Sequence, residues 1–290
     1  MQHRKPISGA KKHAPMPPDL LARAYLDIVA REAGAKTKPM LPGVYSDAAL
    51  ERLIDDLEVY AEDTSSARLR PDLAAVAILM ARAIEAERGL AGQLRRDAPV
   101  VVMTIHSPNL VEIAKEVAQE CVLPQHSRVL DIESSTLVSP QTRGILVVRD
   151  GTAKPERRDK GSREVTSALQ YRIPIMGIAP DPSRHLPQAL TRTAVFKLTL
   201  PSLDQAGVAL IVEAVTGLAP TRAMDPDLVR MLDIDDLPLA FRFGLRGNEC
   251  LSAIEDVVRK RGDYLFEGPR SESSRGMARR RIGGCSWRTT

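Results

Sequence analysis

Aromatic residues are scarce: they make up 3% of the 290 residues, with a single Trp. That leaves little from which to build a surface that stacks nucleic-acid bases. Cysteine is also sparse. Cys121, Cys250 and Cys285 are scattered and form no C-x-x-C pair. An odd, scattered set argues against a secreted disulfide framework and against a zinc site. No apolar run approaches the roughly 18 residues needed to span a bilayer. The N-terminus is basic but lacks the apolar segment of a signal peptide. Together these absences predict a cytoplasmic protein with no membrane partner. Several chemical motifs are missing as well. The chain has no G-x-x-x-x-G-K-[ST], no G-x-G-x-x-G, no H-E-x-x-H, no G-x-S-x-G and no EF-hand loop.

What is present is the composition of a globular protein: 43% hydrophobic and 27% charged residues. The length suits one to two domains. The formal net charge is +4, and its location matters more than its size. Residues 1–13 carry Arg4, Lys5, Lys11 and Lys12 and no acid. Residues 277–290 carry Arg279, Arg280, Arg281 and Arg288 and no acid. Each end therefore holds +4, and the stretch between them is −4. The basic character belongs to the termini. A nucleic-acid-binding protein using both basic ends is one reading, since arginine runs bind phosphate. The acidic body and the scarce aromatics argue against nucleic acid as a partner.

Residues 1–16 are polar, basic and proline-containing, which predicts a disordered leader. A helical region, 17–98, follows. Leu20, Leu21, Ala24, Tyr25, Ile28 and Val29 recur at helical spacing and predict a helix from about Asp19 to Ala33. A second helix is expected after Ser46, a good N-cap, with Leu50, Leu53, Ile54, Leu57 and Tyr60 as one stripe. A third begins at Pro71, the favoured first helical position, and runs to about Glu87, with Gly89 and Gly92 marking its end. It is apolar on most faces, which predicts packing between other elements.

From residue 99 the pattern becomes short apolar runs alternating with helices. The runs are PVVVMTI (99–105), RVLDIE (128–133), GILVVRD (144–150), IPIMGIA (173–179) and AVFKLTL (194–200). Helices are expected over Asn109–Cys121, Arg163–Tyr171, Leu186–Thr191 and Leu203–Val215, the last stopped by Gly217. Unbroken β-branched runs predict strands buried on both faces, and alternation with helices predicts a largely parallel sheet. This is an α/β fold, with its α/β domain at 99–217. A proline-bearing link, Gly217–Pro226, leads to a small helical subdomain at 218–267. Its helices are expected near Asp227–Leu232 and Asn248–Arg261. The last segment, 268–290, has no periodicity and reads as a disordered tail.

A parallel sheet places ligands at the carboxyl ends of its strands. The loop after PVVVMTI reads His106, Ser107, Pro108, Asn109. A phosphate cradle needs glycines that turn backbone N–H groups inward and a lysine that neutralises charge. This loop has neither. His106 and Ser107 could form a base and nucleophile, but neighbours on a strand-to-helix turn diverge. Ser107 or Asn109 is expected instead to cap the next helix. Asp150 ends GILVVRD, where an acid could hold a metal. Gly151 and Thr152 follow it, so no partner acid is at hand, and a turn residue is the expected role. Asp225, Asp227, Asp233, Asp235 and Asp236 form an acidic cluster that N-capping and dipole matching explain. His185, beside Arg184, reads as a solvated loop residue. A small-molecule enzyme on an open sheet stays possible as a class, but no convergent acid, base and nucleophile set supports it.

The order of elements also carries a likeness. IPIMGIAPDPSRHLPQALTRTAVFKLTLPSLDQAGVALIVEAVTG (173–217) resembles the second half of an AAA+ ATPase core. There a strand is followed by a loop, an L-P-x-A-L-type helix, a strand ending in Pro, and a helix. DLVRMLDIDDLPLAFRFGLRGNECLSAIEDVV (227–258) looks like the small helical lid, with its L-x-x-D-D-L-x-x-A phrase. Residues 99–260 are similar to that arrangement in order and spacing. The resemblance implies a degenerate P-loop-like core followed by a lid-like subdomain. It also marks departures. His106, Ser107, Pro108 and Asn109 stand at the Walker A position. Asp150 is a Walker B-like remnant without its glutamate. Pro180 stands where the family keeps a polar sensor residue. The implied module neither binds nor hydrolyses ATP by the family mechanism. It has no catalytic residue, no metal ligand and no cofactor of its own.

More closely, residues 17–268 look like the region preceding the active ATPase module in a group of bacterial AAA-family proteins, some labelled ATP-dependent zinc proteases. There a phrase like G-x-A-x-x-W-G-x-x-L-A-x-D-L leads into a genuine Walker A. The tail MARRRIGGCSWRTT (277–290), back-translated and read in another frame, comes near that phrase. Codons beginning one nucleotide earlier, with permitted choices, read HGEAKDWGLQLADD. A frameshift near 269–277 is therefore expected to have replaced the downstream ATPase module. The nucleotide sequence tests this: without a Walker A in the other frame shortly downstream, the expectation fails. The resemblance implies a non-catalytic scaffold or regulatory region. Its partners would be further copies of itself or the parent's ATPase module, where ATP and Mg²⁺ act.

Overall fold

The computed structural model describes residues 19–36, 69–130, 138–152, 159–242 and 244–266. The helix expected after Ser46, the leader at 1–16 and the tail at 268–290 lie outside them. The architecture is α/β, with five parallel strands flanked by helices. The strands are β1 (Val100–Thr104), β2 (Arg128–Leu130), β3 (Ile145–Val148), β4 (Ile175–Ala179) and β5 (Phe196–Thr199). Their spatial order is β2-β3-β4-β1-β5, and every pairing is parallel. The register runs Val102 opposite Gly177 and Lys197, and Val147 opposite Gly177.

The unbroken apolar runs follow from burial on two sides. Strand residues alternate between two faces. Val101, Met103, Leu146, Val148, Met176 and Ile178 enter one buried cluster. Val100, Val102, Ile145, Val147, Ile175 and Ala179 enter another. A polar residue at either parity would be stranded in a core, so β1, β3 and β4 show no polar alternation, whereas the edge strand β5 alternates, with Lys197 and Thr199 exposed.

Helices cover both faces. The first face carries α1 (Leu20–Lys36), α2 (Pro71–Ala86), α4 (Val111–Val117) and α8 (Gln205–Thr216). Between α2 and β1 lies α3 (Leu90–Arg96). The second face carries α5 (Ser162–Gln170) and α7 (Gln188–Thr193), through Val165, Ala168 and Leu190. Helix α2 is the most enclosed: eleven of its sixteen residues are buried. It packs against α1, α4 and α8, which explains an apolar surface all round. Pro71 opens it, and Asp72 accepts from the Leu73 amide at 2.8 Å. Helix α8 is capped at its start by Asp204, which accepts from the Gly207 amide at 2.6 Å. It ends at Gly217, whose φ of 73° suits glycine.

Beyond α8 come α9 (Pro226–Met231), a 3-10 turn at Ile234–Asp236, α10 (Leu237–Ala240) and α11 (Asn248–Phe266). Their buried residues Val229, Ile234, Leu237, Leu251, Ile254 and Val258 belong to the same cluster as α2 and the first sheet face.

Several expected boundaries shift. Gly89 does follow α2, at φ 84°, but it also starts α3, and Gly92 lies inside that helix. The helix expected over Leu186–Thr191 is α7, which starts at Gln188, and a further short helix that was not expected, α6 (Pro182–His185), capped by Asp181, precedes it. Pro187 separates them because it lacks an N–H and pushes Leu186 into extended backbone (ψ 153°). The helix expected over Asn109–Cys121 starts as a 3-10 turn at Pro108–Leu110 and ends in a π turn at Ala118–Val122. Of RVLDIE, only Arg128–Leu130 is described as strand. Helix α11 extends past Arg261 to Phe266.

Candidate functional site at the carboxyl end of β1

The chain stays tied to the sheet one residue past β1, where the Ile105 amide donates to the Ala179 carbonyl at 3.1 Å. His106 is then exposed, Ser107 half-buried, and Pro108 and Asn109 exposed. Neither Ser107 nor Asn109 makes the expected helix cap. The Ser107 carbonyl instead accepts from the Leu110 amide at 3.2 Å, which closes the 3-10 turn. The Asn109 amide group reaches away, donating to Asp235 Oδ2 at 3.2 Å. The loop is poorly built for phosphate. Pro108 has no N–H, the Leu110 amide is committed, and no lysine stands in the loop.

A cleft of about 490 Å³ opens beside this loop. His106 and Ser107 form one wall, residues 200–203 after β5 a second, and residues 230–234 a third. Buried Leu79, Ile105 and Leu110 contribute its apolar part. Arg261 reaches the cleft from α11, but its charge is already balanced. Its Nη1 lies 2.7 Å from Asp236 Oδ2 and 4.0 Å from Asp233 Oδ2. Its Nη2 donates to the Met231 carbonyl. Arg230, on the rim, pairs with Asp227 at 3.1 Å, with both side chains largely in water. The cleft thus has apolar surface, hydroxyls and an imidazole, with its cations neutralised.

Asp150 lies at the same edge of the sheet, past the end of β3. In the strand order, β4 separates β3 from β1. The structure therefore does not join Asp150 and residues 106–109 as neighbours on adjacent strands. Asp150 accepts from the Thr152 amide at 3.0 Å and from its hydroxyl at 2.8 Å. These bonds, aided by His185, hold its carboxyl below the usual carboxylate range. Gly151, at φ 89°, completes the turn. A side chain at Gly151 would stand 3.6 Å from Pro180 and 3.7 Å from His185, so the loops after β3 and β4 touch here. Asp181 also sits below the usual range, chiefly through the Ser183 hydroxyl, with His185 adding a smaller pull.

The acidic cluster is divided among backbone caps, arginine partners and one distant amide. Asp225 accepts from the Asp227 amide at 2.9 Å and caps α9. Asp236 accepts from the Asp233 amide at 3.0 Å. Asp235 takes the Asn109 bond.

Two arginines matter here that the sequence reading passed over. Arg149 is 2% exposed, directly after β3. Its Nη1 donates to the Leu130 carbonyl at 3.0 Å and the Val148 carbonyl at 2.8 Å, and its Nη2 to the Lys160 carbonyl at 3.2 Å. It ties β2, β3 and the approach to α5 together at the sheet's carboxyl edge. Its signal was a cation fused to a buried strand run. Arg261 was hidden in a helix of mixed charge.

Among the described residues, no group of three His, Cys, Asp or Glu side chains is placed to hold a metal. Among the same residues, no helix is long and apolar enough to cross a membrane. No protein-family model matches the chain, and no curated protein matches it.

Proposed function

We propose that this chain is a non-catalytic scaffold or regulatory region of the AAA-family type, acting in the cytoplasm. The observation that carries this reading is the parallel order β2-β3-β4-β1-β5 with a helical subdomain beside the β1 loop. The resemblance to the AAA+ core rests on the element order over 173–258: a strand, a loop, a helix, a strand ending in Pro, a helix and then the helical subdomain. The loop chemistry supports the non-catalytic half of the reading. A proline, a committed amide and neutralised arginines stand where a phosphate-binding site would need free donors and positive charge. Asp150 is spent on a turn. On this reading the chain's partners are further copies of itself or an ATPase module that supplies ATP and Mg²⁺ chemistry.

The test is nucleotide turnover and thermal shift on the purified chain. ATP with Mg²⁺ is expected to give no saturable turnover and no shift in Tm. Ligand at a hundred times its Kd would stabilise the fold by about 2.7 kcal/mol, which a melting curve resolves. Saturable turnover by the chain would overturn the reading.

A further inference from the structure

We propose that Asn109 and Arg261 form a latch in which Asn109 ties residues 231–236 to the β1 loop and Arg261 ties the same residues to α11, so that the helical subdomain is held on the sheet. The inference rests on the non-catalytic reading above and adds a conformational property to it.

The latch closes on one short strap, residues 231–236. From α11, Arg261 grips it at three places: the Asp236 carboxylate at 2.7 Å, the Asp233 carboxylate at 4.0 Å and the Met231 carbonyl. Asp236 is 6% exposed. A carboxylate that far from water needs its partners, and here they are Arg261 and the Asp233 amide. From the β1 loop, Asn109 holds Asp235 at 3.2 Å. Between these grips, Ile234 is 6% exposed and Leu237 fully buried, and both join the cluster that contains α2 and Ile105. The strap is thus fixed by an ion pair on one side, a hydrogen bond from the Asn109 amide group on the other and apolar packing beneath.

Each grip uses a group of the chain itself. Nothing in the set waits for an anion or a cation to complete it. Lifting the strap from the β1 loop would break the Asn109–Asp235 bond and expose Ile234 and Leu237 together. The subdomain and the sheet therefore open as one cooperative unit rather than as a hinged lid.

Hydrogen exchange on the full chain tests this, read by mass spectrometry with and without ATP and Mg²⁺. Peptides from α11 are expected to exchange as slowly as peptides from β1, with no change on adding nucleotide. Arg261→Ala is expected to speed exchange in α11 by at least about tenfold while β1 stays within about twofold. Asn109→Ala, a milder surface change, is expected to act in the same direction by about threefold. It keeps the test open if the first variant does not fold. Fast α11 exchange in the unaltered chain, indifferent to nucleotide, overturns the latch and leaves the non-catalytic reading standing. Slowing of α11 by ATP overturns both. An α11 rate unchanged in both variants also overturns the latch.

Discussion

The Arg82 guanidinium joins two distant points of the chain. Its Nη1 lies 2.6 Å from Asp204 Oδ1, and its Nε lies 2.8 Å from Asp19 Oδ1. Asp204 meanwhile caps α8 through the Gly207 amide. Burial pushes its carboxyl up, but Arg82 and Gly207 outweigh that and hold it below the usual range. Asp204→Ala removes cap and ion pair together and is expected to cost about 1–2 kcal/mol in urea unfolding. Asp204→Asn keeps an acceptor for the cap and is expected to cost less. Equal losses in the two variants would assign the effect to charge alone.

Gly177 in the middle of β4 is set by its neighbours. A Cβ there would meet Leu190 Cδ2 at 2.7 Å and Leu186 Cδ1 at 2.8 Å, and both leucines are fully buried. Gly177→Ala is expected to destabilise by about 1–3 kcal/mol through overpacking. Chemical denaturation measures it. A change within about 0.5 kcal/mol would mean that the leucines swing aside freely.

The Asp150 turn makes a pH prediction. Its folded-state carboxyl is lowered by the Thr152 amide first and the Thr152 hydroxyl second. A lowered acid contributes stability above its ordinary value and loses it as pH falls through the folded value. Carboxyl-detected NMR is expected to show Asp150 titrating below the ordinary carboxylate range. Thr152→Val removes the hydroxyl alone and is expected to move it partway back. Ordinary titration in the unaltered protein would mean that the turn does not form in solution.

Cys121 is expected to be a slow thiol. Burial, with Glu120 adding a smaller push, raises it to about 12. Against an ordinary thiol of 9.0 that leaves about a thousandfold less thiolate at pH 8. Iodoacetamide labelling followed by mass spectrometry checks it. Alkylation of Cys121 at the rate of an exposed cysteine would contradict its placement against α1, where its Sγ donates to the Tyr25 carbonyl at 3.8 Å.

The sheet was readable because burial on both faces leaves one local signature, a run such as VVVM or ILVV. Helix α2 was readable for the same reason, with Pro71 marking its start. That the β1 loop lacks glycine and lysine was readable too, because it is a fact of the sequence alone. The cleft was not, because three segments far apart in sequence enclose it. Asn109 and Asp235 are 126 residues apart, and no local pattern announces such a pair. The roles of Ser107 and Asn109 were misjudged because cap preference is local. A backbone turn and a distant carboxylate competed for them and won. Arg149 shows the converse: a cation beside an apolar run reads as a strand end, and its three carbonyl partners appear only in three dimensions.

The enclosure of α2 has a consequence for how the chain is made. Residues 71–86 leave the ribosome well before β1, and more than a hundred residues before α8, against which they pack. Until α4 and α8 are made, this apolar helix has only part of its final cover. Its early companion is α1, already synthesised and packed on it in the finished fold. Loss of α1 would lengthen the period in which α2 can find the wrong neighbour, so aggregation during synthesis would rise more than equilibrium stability would fall.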